Sequence, residues 1–222
     1  MNDPITLAIS VTFAALLCAC SEDSPSEPKD TFDASVVCPE NQRGTFTDER
    51  DGQVYKYTTI GNQVWMAENL KFDAPFSLCY DKIEGFCDTF GRFYSLHVDG
   101  EFFGLFDQDL VDTICPAGWH VPSLDEWKML VENMGGEENV GRRLMSSFDF
   151  WERYVPGTDD CGFSSKPAGE WLLDGSVFGH FSSYWTSTAK DFETTFMCTF
   201  NSTDYFSFNI NSPKMTIRCL KD

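Results

Sequence analysis

Alternation between apolar and polar positions is clearest early in the chain. Val54 to Ile60 is rich in β-branched and aromatic residues, Gly61-Asn62 supplies a two-residue turn, and Gln63 to Met66 resumes the pattern, which predicts a β-hairpin. Asp51-Gly52 is a second turn signal, so a short strand over Thr45 to Thr47 is expected ahead of it. The period then changes. Leu124, Trp127, Leu130, Val131 and Met134 recur at helical spacing behind Pro122 and Ser123, with Glu126 placed to complete a capping box and Gly135-Gly136 to end the run. A second helix is expected over about Val140 to Phe148, with Leu144 and Phe148 inward and Arg142 and Arg143 outward. Beyond Trp151 the apolar stretches are short and broken by turn residues: Gly162 to Ser164, Glu170 to Leu173, Tyr184 to Thr188, Thr195 to Phe200, Tyr205 to Ile210 and Met215 to Leu220. These read as strands of a mixed sheet. Strands at both ends around central helices predict the α+β class, with a mixed sheet, two helices and the termini brought together in one sheet.

The start of the chain follows a different pattern. Ile5 to Leu17 is an apolar run suited to a signal-peptide core and too short to span a bilayer. It ends in Leu17-Cys18-Ala19-Cys20, which resembles a lipobox with Cys20 as the lipidated residue, although Met1 to Pro4 carries no Lys or Arg. The polar, Pro-containing stretch after Cys20 cannot build a core. The expected organisation is a signal peptide over 1–19, a flexible acidic spacer over 20–43 and one globular domain over 44–222. Location is then expected to be the cell envelope, anchored to the outer membrane by lipid alone and surface-exposed; ordinary secretory cleavage near Ala19 is the alternative.

Charge and cysteine content narrow the function. Acidic residues number 35 against 16 Lys and Arg, a formal charge of −19, which repels nucleic acid and anionic lipid. In an oxidising compartment the cysteines remaining after Cys18 and Cys20 are expected to form disulfides. Cys79 with Cys87 closes a short loop, Cys115 with Cys219 ties the middle of the domain to its last strand, and Cys161 with Cys198 joins two late segments. Cys38 is then left over, free or paired to another chain.

Several runs resemble one family: Thr45 to Asp48 with Asp51 to Tyr55, Ile60 to Leu70, Cys79-Tyr80 followed by Gly91 to Tyr94, Cys115 to Ser123 with Glu126-Trp127, Gly162 to Ser164, Pro167 to Gly169, Tyr184 to Thr188 and Ile217 to Asp222. Together they resemble the Fibrobacter succinogenes major paralogous domain from about Gly44 onward. The resemblance implies an exported protein or lipoprotein, and the family has no settled biochemical activity. Gly118 to Ser123 with Glu126-Trp127 is also similar to formylglycine-generating-enzyme-like domains, which implies a C-type-lectin-like fold, a compact α+β unit with irregular loops. The chain departs from the family pattern at Asp99 to Asp112 and in Cys161 and Cys198.

No catalytic constellation stands out. His97, His120 and His180 are far apart in sequence, and His120 reads as a packing residue between Trp119 and Val121. Asp107, Asp109 and Asp112, or Asp159 and Asp160, lack calcium-loop spacing. The reading is a non-catalytic module without cofactor or metal that binds an extracellular glycan or an envelope protein. Trp151, Tyr154 and Tyr184 are the candidate contact aromatics, with Trp171, Trp185 and Tyr205 as further candidates. The alternatives are an extracellular enzyme of formylglycine-generating type, using Cys161 and Cys198, or of carbohydrate-active type, and a structural envelope component cross-linked through Cys38.

Overall fold

The alternating run Val54–Ile60 forms strand β2, pairing on one side with β1 (Arg43–Thr47) and on the other with β3 (Gln63–Met66). Gly61 turns the β2–β3 hairpin at φ 60°, a left-handed conformation that glycine adopts without steric cost. The computed structural model describes residues 30–80, 83–100, 105–147, 157–179, 181–190, 195–201, 206–211 and 214–222, within a folded unit spanning Thr31–Asp222. Strand β4 is Trp119–His120 and the last strand, β10, is Leu220–Lys221. β10 inserts between β3 and β4, giving the order β1-β2-β3-β10-β4. Phe46 on β1 stacks on Trp119 of β4 with ring centroids 4.3 Å apart, so the sheet curls until side chains from its two edge strands meet.

A second sheet contains β7 (Phe181–Ala189), β8 (Thr195–Asn201) and β9 (Phe206–Asn211), and β5 (Glu170–Trp171) pairs with β6 (Val177–Phe178) in a small hairpin. The molecule is α+β. The expected mixed sheet is corrected: every strand pair among the described residues is antiparallel, and parallel contacts occur only as isolated bridges such as Tyr184 with Thr216.

Five α-helices occur among the described residues: α1 (Ala34–Val37), α2 (Phe86–Phe90), α3 (Gln108–Thr113), α4 (Leu124–Asn133) and α5 (Glu137–Leu144). The sequence pattern finds only the two longest, because helices of four to six residues show too little periodicity. In α4, Ser123 and Glu126 form the capping box, and Trp127, Leu130 and Val131 are buried. In α5, Arg142 is exposed but Arg143 is buried. Its Nη1 donates to Met134 O at 2.5 Å and its guanidinium lies 4.2 Å from the centre of the Phe32 ring, which corrects the expectation that both arginines face solvent. Phe148 lies outside the described residues.

Phe32 belongs to a segment expected to be flexible spacer. Instead, Asp33 caps α1 through its carboxylate, Glu40–Gln42 forms a 3-10 turn, and Phe32, Ala34 and Val37 pack on the core. Gly61 N–H donates to Val37 O at 2.8 Å. Cys38, buried in this strap, is bonded to Cys161. The expected Cys161–Cys198 pairing and unpaired Cys38 are therefore both corrected. The strap crosses beside Cys161, whereas the backbone of Cys198 stands on β8 in register with Tyr184. Cys79 is bonded to Cys87 and Cys115 to Cys219.

One buried cluster gathers Trp65, Trp127, Phe163 and Tyr184 under α4 and α5, and another gathers Tyr55, Met66, Tyr94, Trp119, Trp185 and Ile217. Among the described residues no helix is long and apolar enough to cross a membrane.

Candidate ligand-binding surface

A third, smaller cluster is built around Phe86, Phe93 and Ala168, with Tyr80, Phe90, Trp171 and Val177 only partly buried against it. Two devices hold it. The Cys79–Cys87 bond closes the loop that carries Tyr80. The β5–β6 hairpin fixes Trp171 opposite Val177, and Trp171 N–H also donates to Lys214 O at 3.0 Å. Gly85 precedes α2 at φ 71°, and on that helix Phe86 and Phe90, four residues apart, meet at a tilt with ring centroids 4.7 Å apart.

The rings brace one another. Tyr80 meets Phe86 at 5.4 Å and Trp171 at 5.9 Å, both nearly perpendicular, and Phe93 meets Trp171 from the buried side at 5.9 Å. Such edge-to-face packing fixes ring planes as well as positions. Ile83 and Leu173 are exposed nearby in sequence, on the disulfide-closed loop and in the turn of the hairpin. Glu170 precedes Trp171 on the same strand and is buried, accepting from Ser183 Oγ at 2.8 Å. Burial pushes its carboxyl above the usual range despite that bond. Alternation along β5 sends Glu170 and Trp171 to opposite faces. Lys166 Nζ donates to Thr89 O at 2.9 Å, fastening the end of α2, and burial first of all lowers its pKa.

The other sequence candidates fall elsewhere. Tyr184 is fully buried, its ring stacked on Trp127 at 5.3 Å and its hydroxyl 2.9 Å from Ser165 Oγ. It is a core residue, which corrects its assignment to ligand contact; both faces of β7 are covered there, so alternation gives no surface side. Trp185 is also buried, its Nε1 donating to Tyr94 O at 2.9 Å. Trp151, Tyr154, Tyr205, His180 and the lipid-attachment candidate Cys20 lie outside the described residues. Asp107 caps α3, and Asp159 accepts from Ser164 N and Oγ at 2.7 and 2.6 Å. Among the described residues no group of three His, Cys, Asp or Glu side chains is arranged to hold a metal ion.

Tyr80 and Phe90 were missed in sequence. The available signal was the spacing of Phe86 and Phe90 behind a disulfide-closed loop that already carried Tyr80.

The fold and this surface define an α+β domain cross-linked by disulfides, with partly buried aromatic rings on rigid supports. The chain belongs to the Fibrobacter succinogenes major domain family, whose model matches residues 58–221. No curated protein and no solved structure matches the chain.

Proposed function

We propose that this chain is a lipid-anchored extracytoplasmic surface module, non-catalytic, that binds an extracellular polysaccharide through Tyr80, Phe90 and Trp171. The observation that carries the reading is the perpendicular Tyr80–Trp171 pair, partly exposed and braced by a disulfide on one side and a hairpin on the other. Sugar rings stack on such faces, and a rigid surface loses little conformational entropy on binding. The net charge of −19 favours an uncharged glycan over an anionic one. Anchoring at Cys20 is supported by the lipobox-like Leu17 to Cys20, and placement at the outer membrane is part of the same reading.

A C-type-lectin-like fold, related to formylglycine-generating-enzyme-like domains, is part of this reading. It is supported by the return of β10 beside the N-terminal strands, the two longer helices and the separate three-stranded sheet. One observation argues against two alternatives. Copper-dependent formylglycine chemistry through Cys161 requires a free thiol there, and its sulfur is bonded to Cys38. The same bond argues against cross-linking to another envelope component through Cys38.

Titration calorimetry against a panel of neutral polysaccharides tests the binding. Trp171→Ala is expected to weaken it about tenfold or more, the range for losing one central stacking aromatic, with an unchanged near-ultraviolet circular dichroism spectrum outside the lost indole signal. Binding to an envelope protein that depends on Trp171 instead would replace the glycan by a protein partner. Absence of both would sink the reading. Separately, Cys20→Ala is expected to move the protein out of the membrane fraction.

A further inference from the structure

His120 stands half-exposed between two carboxylates supplied by different parts of the fold. Its Nδ1 is 2.7 Å from Asp222 Oδ1 and its Nε2 is 3.0 Å from Glu126 Oε1. An ionised carboxylate only accepts hydrogen bonds, so making both contacts requires a proton on each ring nitrogen. A neutral imidazole carries one N–H and can keep one of the two.

The partners are not equivalent. Glu126 is held independently by the cap of α4, its Oε2 accepting from Ser123 N at 2.7 Å and from Ser123 Oγ at 2.8 Å. The Asp222 side chain is 63% exposed, and among the described residues its carboxylate has no other hydrogen bond. We propose that His120 is a proton-operated latch that ties the Asp222 end of β10 to the corner between β4 and α4 when charged, and releases Asp222 while keeping Glu126 when neutral.

The charged groups bonded to the ring are Glu126 from α4 and Asp222 beyond β10. Of their neighbours, Lys221 is exposed and Asp125 pairs with Lys128 at 2.9 Å. The Cys115–Cys219 bond and the Asp222 N–H to Gly118 O contact at 3.1 Å hold the backbone on either side. Release is therefore confined to the strand end.

The electrostatics agree. The bond to Glu126 raises the His120 pKa above 6.5, burial opposes it, and the bond to Asp222 adds to the rise. For Glu126, burial pushes upward but the bonds from His120 and Ser123 outweigh it and hold the carboxyl at about 2. A histidine with a raised folded pKa contributes stability that is fully present below its unfolded value and is lost as pH rises through the folded value. The latch closes as the surroundings acidify from neutral, while Glu126 remains ionised.

Imidazole NMR titration of the folded, oxidised chain, combined with amide exchange at Lys221 and Asp222, tests this. The wild type is expected to show a His120 midpoint above 6.5 that falls in Asp222→Ala. After correction for intrinsic exchange, the two amides should open about two- to fivefold more as pH passes that midpoint, the range for a partly exposed ion pair. His120→Gln should abolish that step. A wild-type midpoint at or below 6.5, a midpoint unmoved by Asp222→Ala, or a step that persists in His120→Gln would each overturn the latch. Asp222 is exposed, so its replacement leaves the fold intact for the measurement.

Discussion

Arg218 has no exposed surface to speak of and no carboxylate within ion-pair distance among the described residues. Its charge is held by neutral oxygens: Nε and Nη2 donate to Asn69 Oδ1 at 3.0 and 2.5 Å, and Nη1 donates to the carbonyls of Phe163 and Met66. The guanidinium also lies 4.4 Å from the centre of the Phe163 ring. Burial lowers its pKa, but an arginine stays charged under any working condition. Three chain segments distant in sequence are thus joined by one planar fork. Arg218→Met is expected to cost about 3 kcal/mol or more, because it leaves buried acceptors unpaired. Arg218→Lys should not restore the loss, since an ammonium cannot reproduce the fork. Urea denaturation with disulfides intact measures both, and an unchanged midpoint in Arg218→Met would refute the strut. The closing Ile217-Arg218-Cys219 run was legible as part of a motif, but its burial was not: arginine is a surface residue by type. Tyr184 escaped for the related reason that Ser182 to Thr186 are all buried, so no alternation distinguishes inside from outside.

Among the elements, the strap Thr31 to Gln42 was the least legible. It follows a polar, proline-containing stretch, and its helix has only four residues, too few to display a period. The odd cysteine count pointed to a leftover thiol, and position along the chain chose the wrong one. Contact between α1 and the core under α4 and α5 is what brings Cys38 to Cys161. The bond spans 123 residues, against 8 for Cys79–Cys87. Chain entropy then predicts losses of about 5 kcal/mol for Cys38→Ser with Cys161→Ser and about 2.5 kcal/mol for Cys79→Ser with Cys87→Ser. Denaturant unfolding of the two double variants checks the order. The reverse order would mean that the strap scarcely restrains the unfolded chain, or that the small loop organises far more of the molecule than its length implies. By contrast, α4 was legible almost to the residue, because its cap, apolar stripe and terminal glycines all agree.

At the scale of the molecule, the α+β class and the meeting of early and late strands in one sheet were readable from alternation at both ends. The insertion of β10 between β3 and β4 was not, since strand order depends on contacts that no local pattern records. The family match has a similar limit: it begins at residue 58, inside β2. Ahead of it lie Tyr55, fully buried, whose hydroxyl accepts from Lys71 N at 2.9 Å, Phe46 stacked on Trp119, and Cys38 bonded to Cys161. A chain that starts at Thr58 would lose β1 and half of β2, uncover the Trp119 face and leave Cys161 without its partner. It should therefore fail to reach the native state, with a weak near-ultraviolet circular dichroism spectrum, binding of a hydrophobic dye and no cooperative melting transition. A chain that starts at Thr31 keeps all three contacts and should melt cooperatively after oxidative folding. If the shorter chain gave the same spectrum and transition as the longer one, the strap and β1 would be accessories to a core that closes without them. The stacking of Phe46 on the far edge of the sheet and the burial of Tyr55 behind it argue that they are not.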